Sequence, residues 1–417
     1  MPILDHTLLT RLLGSIEANH LVILCGAGLS IPDPSNLMSA DRVAKACYDK
    51  WTATQALPTN LRDDIESLAA HFYAQGQFVS VFIGALVPWN ELVGEPNEGH
   101  AAVSDLLISR AANAALSANF DPLVEQWAER RKIAMQGALD GAEALAFADR
   151  TNPLLKFHGC LHRRREQTLW TQRQLPEQEI QQRIASCAAW MGLNLPGKDL
   201  LIVGFWSDWG YLNDVLAQAI AINGIASVTV IDPATTAQLQ AKAPTLWNRL
   251  TGTVAPFQHV QASGSEALEE LRVEFSKVWA RKFFRLGRPL IEIAGGNYPA
   301  AVESLSWQRE DIYNFRRDGE GVPYNRAAQS KEPGAEAAQA ALAHILLIQA
   351  NAVRQGAWYQ HAGTTVRVVQ GGGQALATVR ERYNEPPAVT AADIVICAGA
   401  DDITVPGSVI PAGRERV

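Results

Sequence analysis

A glycine-rich turn after the first apolar segment of the chain could bind a phosphate group. The apolar run Leu21–Leu24 predicts a buried strand. It continues through Cys25 into a turn of small residues, Gly26, Ala27, Gly28, Leu29 and Ser30, with Pro32 and Asp33 just beyond. A strand that ends in glycines brings backbone N–H groups close to a phosphate in α/β proteins. The spacing G-A-G-x-S differs from the G-x-G-x-x-G of dehydrogenases, which argues against an ordinary dehydrogenase.

Further polar clusters follow later apolar runs of the chain. Each stands where a predicted strand ends: Ser117-Ala118-Asn119-Phe120-Asp121, Lys156-Phe157-His158-Gly159-Cys160, Gly204-Phe205-Trp206-Ser207-Asp208 and, on the next strand, Asp232. Ligands of open parallel sheets bind at the carboxyl ends of the strands. We therefore expect these clusters to contribute to one site.

Each of these residues also has a purely structural interpretation. Asp121 precedes Pro122 and could cap a helix, a role that does not exclude a function. His158 taken alone would more often be a hydrogen-bonded histidine of the core. Ser207 and Asp208 could cap the helix that follows them in the sequence. The order and joint occurrence of the clusters favour a site.

Strand-like and helix-like segments alternate over the first two thirds of the chain. The predicted strands are Leu21–Leu24, Ala114–Leu116, Leu154–Phe157, Leu200–Val203 and Val228–Ile231. The predicted helices include Ala40–Trp51, Asn60–Ala74, His100–Arg110 and Asn213–Ile222. This alternation predicts an α/β fold with a Rossmann-like, mostly parallel sheet and helices on both faces. The long helical stretch between the first two strands predicts an inserted helical subdomain over about residues 40–95.

The composition changes after about Arg285, and the 417 residues are enough for two domains. We predict a catalytic domain over 1–285 and a smaller C-terminal α+β domain over 286–417. The second domain would contain a helix over 335–355 and strands at 365–370 and 394–397. We expect it to serve oligomerisation or the binding of a partner protein.

Bulk composition excludes several classes of protein. The net charge of −7 does not suggest a general binder of nucleic acids or anionic membranes. The five cysteines are widely spaced and contain no C-x-x-C pair, so neither a zinc ribbon nor a disulfide framework is indicated. The N-terminus lacks the blocks of a signal peptide, and no apolar run reaches the roughly 18 residues of a membrane span. We expect a soluble cytoplasmic protein without a metal site.

Taken in order, these motifs resemble the sirtuin family. The family pattern has a G-A-G-x-S loop followed by proline and aspartate, a T-N-x-D-like turn, an H-G after a strand, a G-x-S turn and a polar residue at a later strand end. The matching segments are Gly26–Ser30, Ile31-Pro32-Asp33, Ser117–Asp121, Phe157-His158-Gly159, Gly204–Asp208 and Ile231-Asp232. Pro96–His100 also looks like the P-x-x-x-H helix start of that family. The resemblance covers about residues 15–280.

The resemblance implies NAD as the ligand. The residues that would bind it are Gly26, Ala27, Gly28, Ser30, Asp33, Gly204, Ser207 and Asp232. The loop Gly26–Ser30 would cradle the pyrophosphate, Ser207 would contact the dinucleotide, and Asp232 would accept a hydrogen bond from the adenosine ribose.

Asn119, Asp121 and His158 would be the catalytic residues by the same resemblance. Asn119 and Asp121 would face the nicotinamide ribose, and His158 would be the general base. Cleavage of the bond to nicotinamide builds positive charge on the ribose, which requires oriented acceptors. A histidine can take up a proton near neutral pH, and an asparagine can hold a water or hydroxyl through donor and acceptor atoms.

The chain also departs from the protein-deacylating sirtuins. It lacks their two C-x-x-C pairs, and no Phe-Arg follows Ile31-Pro32-Asp33. The string Leu201–Asp208 looks like the variant sirtuin-like domains of bacterial anti-phage systems, which consume NAD beside a HerA-type ATPase or a short Argonaute. We therefore expect an oligomeric NAD+ glycohydrolase. An NAD-dependent protein deacylase and a non-catalytic NAD or ADP-ribose binding module remain alternatives.

Overall fold

The computed structural model describes residues 2–148, 151–208, 210, 213, 224–252, 255–320, 331–371, 375, 379, 392–399 and 409–411. The chain divides into a first unit, Met1–Arg130 with Ala134–Glu270, and a second unit, Arg131–Ile133 with Leu271–Val417. The predicted boundary near residue 285 and the unit boundary at Glu270 both fall in one long helix, Gly264–Ile293. The two units are described in turn.

Six parallel strands form the sheet of the first unit. They are β1 (Leu21–Cys25), β2 (Ala114–Ser117), β3 (Leu154–Leu155), β4 (Asp199–Val203), β5 (Ser227–Asp232) and β6 (Phe257–Gln261). The order is β3-β2-β1-β4-β5-β6 and all pairs are parallel, which confirms the predicted Rossmann-like sheet. The chain leaves β1 towards β2 on one side and later returns to β4 on the other. The carboxyl ends of β1 and β4 therefore lie at the topological switch point, where such sheets bind ligands.

Helices cover both faces of this sheet. The helices of the first unit are α1 (His6–Glu17), α2 (Ala40–Thr52), α3 (Ile65–Ala74), α4 (Glu98–Ile108), α5 (Leu123–Arg130), α6 (Gly141–Phe147), α7 (Gln178–Asn194), α8 (Thr236–Lys242) and α9 (Pro244–Thr251). The long helix α10 (Gly264–Ile293) begins in the first unit, and most of its residues belong to the second. All five residues of β1 are buried, as expected for the central strand of a covered parallel sheet. The helix predicted over 213–222 lies, apart from Asn213, outside the described residues.

Helices also fill the connection between β1 and β2. It contains α2, α3 and a π-helix over Phe78–Leu86, packed around stacked Phe72 and Phe82. The helix predicted from Asn60 begins at Ile65 instead. The side chain of Asp64 caps it by accepting hydrogen bonds from the N–H groups of Glu66 and Ser67.

The second unit has a mixed five-stranded sheet. Its strands are β7 (Val353–Gln355), β8 (Trp358–His361), β9 (Thr364–Gln370), β10 (Ile394–Ala398) and β11 (Val409–Pro411). The order is β11-β10-β9-β8-β7, with β9 and β10 parallel and the other pairs antiparallel. Two helices, α11 (Arg309–Glu320) and α12 (Ala338–Gln349), complete the predicted α+β architecture.

The helix predicted over 335–355 was too long. Helix α12 ends at Gln349, and residues 353–355 form β7. Asn351 takes a left-handed backbone conformation with φ of 60°. The N–H of Ala352 then bonds to the carbonyl of Leu347 at 2.9 Å, which satisfies the helix end and turns the chain into the strand.

A buried ion pair lies in the core of the second unit. Arg367 on β9 donates to both carboxylate oxygens of Asp318 on α11, at 2.8 and 2.7 Å, and both side chains are 0% exposed. Burial alone would raise the pKa of Asp318, but the guanidinium groups of Arg367 and Arg317 lower it below its usual value.

In the part of the chain that the structure describes, no helix has the length and apolar character needed to cross a bilayer.

Asp318→Asn should destabilise the second unit strongly. Removal of the carboxylate leaves the guanidinium of Arg367 buried without its counter-charge, which costs about 3–5 kcal/mol. Urea unfolding of the full chain measures this loss. The matched control is Glu292→Gln, which breaks the exposed pair with Arg288 and should change stability very little. Equal small losses in the two variants would contradict this account of the core.

Candidate functional site

The hydroxyl of Ser30 joins three turns at the carboxyl end of the sheet. Its oxygen accepts a hydrogen bond from Asn119 Nδ2 at 3.0 Å and donates to Asp121 Oδ2 at 2.8 Å. His100 Nε2, at the start of α4, lies 3.1 Å from the same oxygen. All four side chains are buried. With two bonds accepted and one donated, the hydrogen-bonding capacity of the hydroxyl is filled.

The protonation of His100 follows from its two contacts. Its Nδ1 lies 3.3 Å from the backbone N of Asn97 and accepts a hydrogen bond from that N–H group. The proton of the neutral imidazole is therefore on Nε2, which donates a hydrogen bond to Ser30. Burial lowers the pKa of His100 to about 4, which agrees with a neutral ring at neutral pH. The side chain of Asn97 in turn caps α4 by accepting from the N–H groups of Gly99 and His100.

The sequence interpretation assigned His100 to a helix start and gave it no role in the site. The signal was present, because His100 occupies the third position after the capping Asn97. A residue there can complete a capping box by reaching back to the first backbone N–H. Its contact with Ser30 depends on tertiary packing between residues 70 positions apart.

Asn119 keeps one polar atom available for a ligand. Its Nδ2 donates to the carbonyl of Gly26 at 3.1 Å and to Ser30, so both amide hydrogens are engaged. Within the described ranges, no donor contacts Asn119 Oδ1. We expected both the donor and the acceptor atoms of this amide to be available to a ligand, but in the structure only the acceptor, Oδ1, is available. Asn119 can thus hold an O–H group of a water or a sugar, or face a developing positive charge.

Asp121 caps a helix, as considered from the sequence, and also contacts Ser30. Its Oδ1 accepts from the N–H of Leu123 at 3.2 Å and caps α5, and its Oδ2 accepts from Ser30. The cap and the serine contact use different oxygens of the same carboxylate. Its orientation is therefore fixed from two sides.

The glycine turn after β1 packs directly against the turn after β4. The N–H groups of Gly26 and Gly28 donate to the carbonyls of Val203 and Gly204, at 3.2 and 2.9 Å. A Cβ atom on Gly28 would lie 2.8 Å from the Cα of Gly204, too close for any side chain. Gly204 itself has a φ of +62° and would place a Cβ 2.6 Å from the N of Leu29. Glycine is required in both turns by this close approach.

The same packing leaves few N–H groups for a phosphate in the glycine turn. The N–H groups of Leu29 and Ser30 bond back to the carbonyls of Gly26 and Ala27. Among the described residues, none accepts from the N–H of Ala27, which is exposed at the start of a short 3₁₀ turn. An anion above this turn would therefore meet Ala27 rather than the two glycines.

The turn after β4 offers more donors. Phe205 and Trp206 are buried in the core of the sheet, and Trp206 Nε1 donates to the carbonyl of Leu239 at 2.8 Å. Ser207 is partly exposed. The backbone N–H groups of residues 205–207 form no hydrogen bond to any described part of the chain. Together with Ala27 they are candidate phosphate donors at the switch point.

Asp208 caps α9, whereas the helix considered from the sequence lies, apart from residues 210 and 213, outside the described residues. Its carboxylate accepts from the N–H groups of Leu246 and Thr245, at 2.9 and 3.2 Å, at the start of α9. Hydrogen bonds to the charged form help to lower the pKa of Asp208, against the effect of burial. The contact anchors the turn after β4 to the periphery of the sheet.

His158 stands after β3, next to the Asn119 turn. Its backbone carbonyl accepts from the N–H of Leu169 at 3.0 Å, and its side chain is partly exposed. Burial of the ring, with the positive charge of Arg183, lowers the pKa of His158 to about 3. The imidazole is therefore neutral at neutral pH, but so low a pKa makes it a weaker base than we expected from the sequence.

Lys156 ties the His158 turn to the Asn119 turn. Its side chain is 1% exposed, and its Nζ donates to the carbonyl of Asp121 at 2.6 Å and to Glu125 Oε1 at 3.0 Å. Burial alone would lower the pKa of Lys156, but the negative charge of Glu125 contributes to a net rise. The charged ammonium therefore links β3 to the turn after β2.

Asp33 and Asp232 form hydrogen bonds within their own loops, away from the Ser30 contacts. Asp33 is exposed and accepts a hydrogen bond from Asn36 within its own loop. Asp232 ends β5, where its Oδ1 accepts from the N–H of Ala234 at 2.8 Å. The structure brings Ser30, Asn119 and Asp121 into direct contact, and Gly26, Gly28 and Gly204 around them. His158, Ser207 and Asp232 lie on neighbouring strand ends.

Comparisons with known proteins give similarities to solved structures alone. No family description and no curated protein matches the chain. A mutant Sir2 homologue in complex with 2′-O-acetyl ADP-ribose is 14% identical, with 66% of this chain and 98% of that chain covered and a TM-score of 0.34. A Sir2 homologue in complex with NAD is 14% identical, with 64% and 93% covered and a TM-score of 0.32. Sir2 bound to an acetylated peptide is 12% identical, with 64% and 98% covered and a TM-score of 0.35.

The His100 contacts predict a pH dependence of stability. The unfolded histidine takes up a proton near its ordinary pKa of about 6.5, whereas the folded ring does so only near pH 4. The contribution of His100 to stability is thus complete above pH ~6.5 and is lost as the pH falls towards ~4, by about 2 kcal/mol at pH ~5. Urea unfolding at pH ~7.5 and ~5 measures it.

The variant His100→Gln should lose that part of the pH dependence, because glutamine keeps a donor but does not titrate. The matched control is His20→Gln, which changes an exposed histidine of the same unit. It should behave as the parent chain does. An unchanged pH dependence in His100→Gln would contradict the assignment.

Proposed function

We propose that the chain is an NAD+ glycohydrolase, which cleaves NAD+ to nicotinamide and ADP-ribose. The observation that supports this most is the available Oδ1 of Asn119, held by Gly26 and Ser30 at the switch point of the sheet. The order of motifs that resembles the sirtuins supplies the second argument. An acceptor fixed in this way suits a site where positive charge develops on a sugar.

The dinucleotide would bind across the carboxyl ends of β1, β4 and β5. Its pyrophosphate would take the N–H of Ala27 and those of residues 205–207, which form no other hydrogen bond to the described chain. Gly26, Gly28 and Gly204 would allow the close approach, and Ser207 would add its hydroxyl. Asp232 would accept from the adenosine ribose at the end of β5, and Asp33 would flank the entrance.

Cleavage would begin with loss of nicotinamide. The bond between ribose C1′ and the pyridinium nitrogen breaks, and its electron pair leaves with neutral nicotinamide. The ribose passes through an oxocarbenium-like state, which the carboxylate of Asp121 and the carbonyl of Asn119 would stabilise. A water then attacks C1′ and gives its proton to His158, for which the pKa of the imidazole must be higher in the complex with NAD than in the free chain. The products are nicotinamide, ADP-ribose and one proton.

We further propose that this activity is the NAD-depleting effector of a bacterial anti-phage system in the cytoplasm. Uncontrolled loss of NAD would harm the cell, so the activity must be restrained until it is needed. The chain would act as a homo-oligomer, activated by or with a partner, either a HerA-type ATPase or a short Argonaute. The second unit would provide the surface for this assembly.

Asn119→Ala and His158→Ala should each reduce nicotinamide release by at least about 100-fold, because each removes a group that acts in the transition state. Purified chain and variants are incubated with NAD, alone and assembled with the candidate partner, and nicotinamide is measured by chromatography. Calorimetric NAD affinity should change little. Asn194→Ala and His20→Ala are the matched controls, since both residues lie in the same unit outside the site.

Two outcomes would contradict the proposal. Full activity in Asn119→Ala or His158→Ala would show that the site is assigned to the wrong residues. Saturable NAD binding without nicotinamide release in any assembly would favour the non-catalytic binding module.

A further inference from the structure

Arg354 is an inward-facing arginine on the edge strand β7 of the second unit. Its neighbours Val353 and Gln355 are exposed, whereas Arg354 is partly buried. The guanidinium lies 5.1 Å from the ring centre of Tyr359 and 5.5 Å from those of Trp307 and Phe315. The cation is thus enclosed by three aromatic rings.

The guanidinium has fewer acceptors than donors. Its Nε, Nη1 and Nη2 are all buried, and no acceptor among the described residues meets them in good hydrogen-bond geometry. The hydroxyl of Tyr359 is the one acceptor among these residues close enough to interact, and Arg354 opposes the rise that burial causes in the pKa of that hydroxyl. An arginine carries five N–H donors, and contact with ring faces does not replace acceptors for them. A buried cation without acceptors is costly, so native proteins pair such groups.

Asp318, a carboxylate influenced by the charge of Arg354, is already engaged. Asp318 feels the charge of Arg354, which contributes to lowering its pKa after burial and two other arginines. Both oxygens of Asp318 nevertheless bond to Arg367, at 2.8 and 2.7 Å, and Oδ1 also contacts Arg317 Nε at 3.3 Å. Arg354 therefore increases the positive potential around this carboxylate without sharing it.

His344 provides a second unmatched polar atom beside Arg354. The side chain is fully buried, and its Nδ1 lies 3.0 Å from the hydroxyl of Tyr359. Its Nε2 is buried with no partner in the same set of described residues. Burial, with the charge of Arg354, holds the pKa of His344 well below its usual value. Arg354, His344, Tyr359, Trp307 and Phe315 are called the Arg354 cluster below.

We propose that the Arg354 cluster is an oxyanion site that takes a phosphate group. The planar guanidinium offers a fork of parallel N–H groups that matches phosphate oxygens. Arg317 and Arg367 strengthen the positive potential, which favours a dianionic phosphate over a singly charged carboxylate. Phe315 and Tyr359 are fully buried and Trp307 is partly exposed, so the ligand enters on the Trp307 side. Both free phosphate and the phosphate of a nucleotide fit this chemistry.

Calorimetry of the full chain with sodium phosphate tests the site, with sodium chloride at equal ionic strength as the reference. The parent chain should bind phosphate and gain thermal stability. Arg354→Met should weaken phosphate binding at least tenfold, because it removes the donors and keeps the apolar stem. The matched control is Arg288→Met in the same unit, which removes an exposed arginine paired with Glu292 and should bind as the parent does. Arg354→Lys, which keeps the charge but loses the fork, should show intermediate affinity and serves if Arg354→Met fails to fold.

Further arms with AMP and with sodium acetate identify the source of the anion. Tighter binding of AMP than of phosphate, lost in Arg354→Met, would assign the site to nucleotides. Equal binding of AMP and phosphate would assign it to free phosphate. Each result supports a phosphate site. Equal phosphate binding by the parent and both Arg354 variants, preference for acetate, or no binding at all would overturn the proposal. Arg354 would then be a packing residue of the edge strand.

Discussion

One serine hydroxyl holds the site together, because its three hydrogen bonds connect turns from different parts of the sheet. Ser30 accepts hydrogen bonds from Asn119 and His100 and donates one to Asp121. The turn that carries Ser30 also packs closely against the turn after β4. Gly28 and Gly204 permit that approach, since a Cβ on either would collide with the backbone of the other turn.

The network also determines which atoms remain for chemistry. The donor and the acceptor of each hydrogen bond around Ser30 are assigned. Asn119 Oδ1 remains as an acceptor without a donor in the described structure. Burial keeps both histidines of the region neutral, with the pKa of His100 at about 4 and that of His158 at about 3. The site therefore presents acceptors and a neutral imidazole beside a fixed carboxylate. Such a set suits the stabilisation of positive charge.

Local sequence patterns were sufficient for most of the sheet and insufficient for the polar network. Apolar runs in the sequence predicted five strands of the first unit. They did not predict the edge strand β6 (Phe257–Gln261), because it is partly exposed and rich in polar residues. The order of motifs along the strands predicted that the turns of Ser30, Asn119 and Asp121 belong to one site, but it did not predict the hydrogen bonds between them. Which amide atom stays available depends on partners distant in sequence. The same holds for His100, whose partner lies 70 positions away.

The central claim, hydrolysis of NAD at this site, is tested most directly by product stoichiometry. The purified chain, alone and with its partner, is incubated with NAD in the presence and absence of an acetylated peptide, and nicotinamide and ADP-ribose are quantified. We expect both products in equal amounts, at a rate that the peptide does not change. Nicotinamide release that requires the peptide and yields an acylated ADP-ribose would contradict hydrolysis and assign the chain to the deacylases.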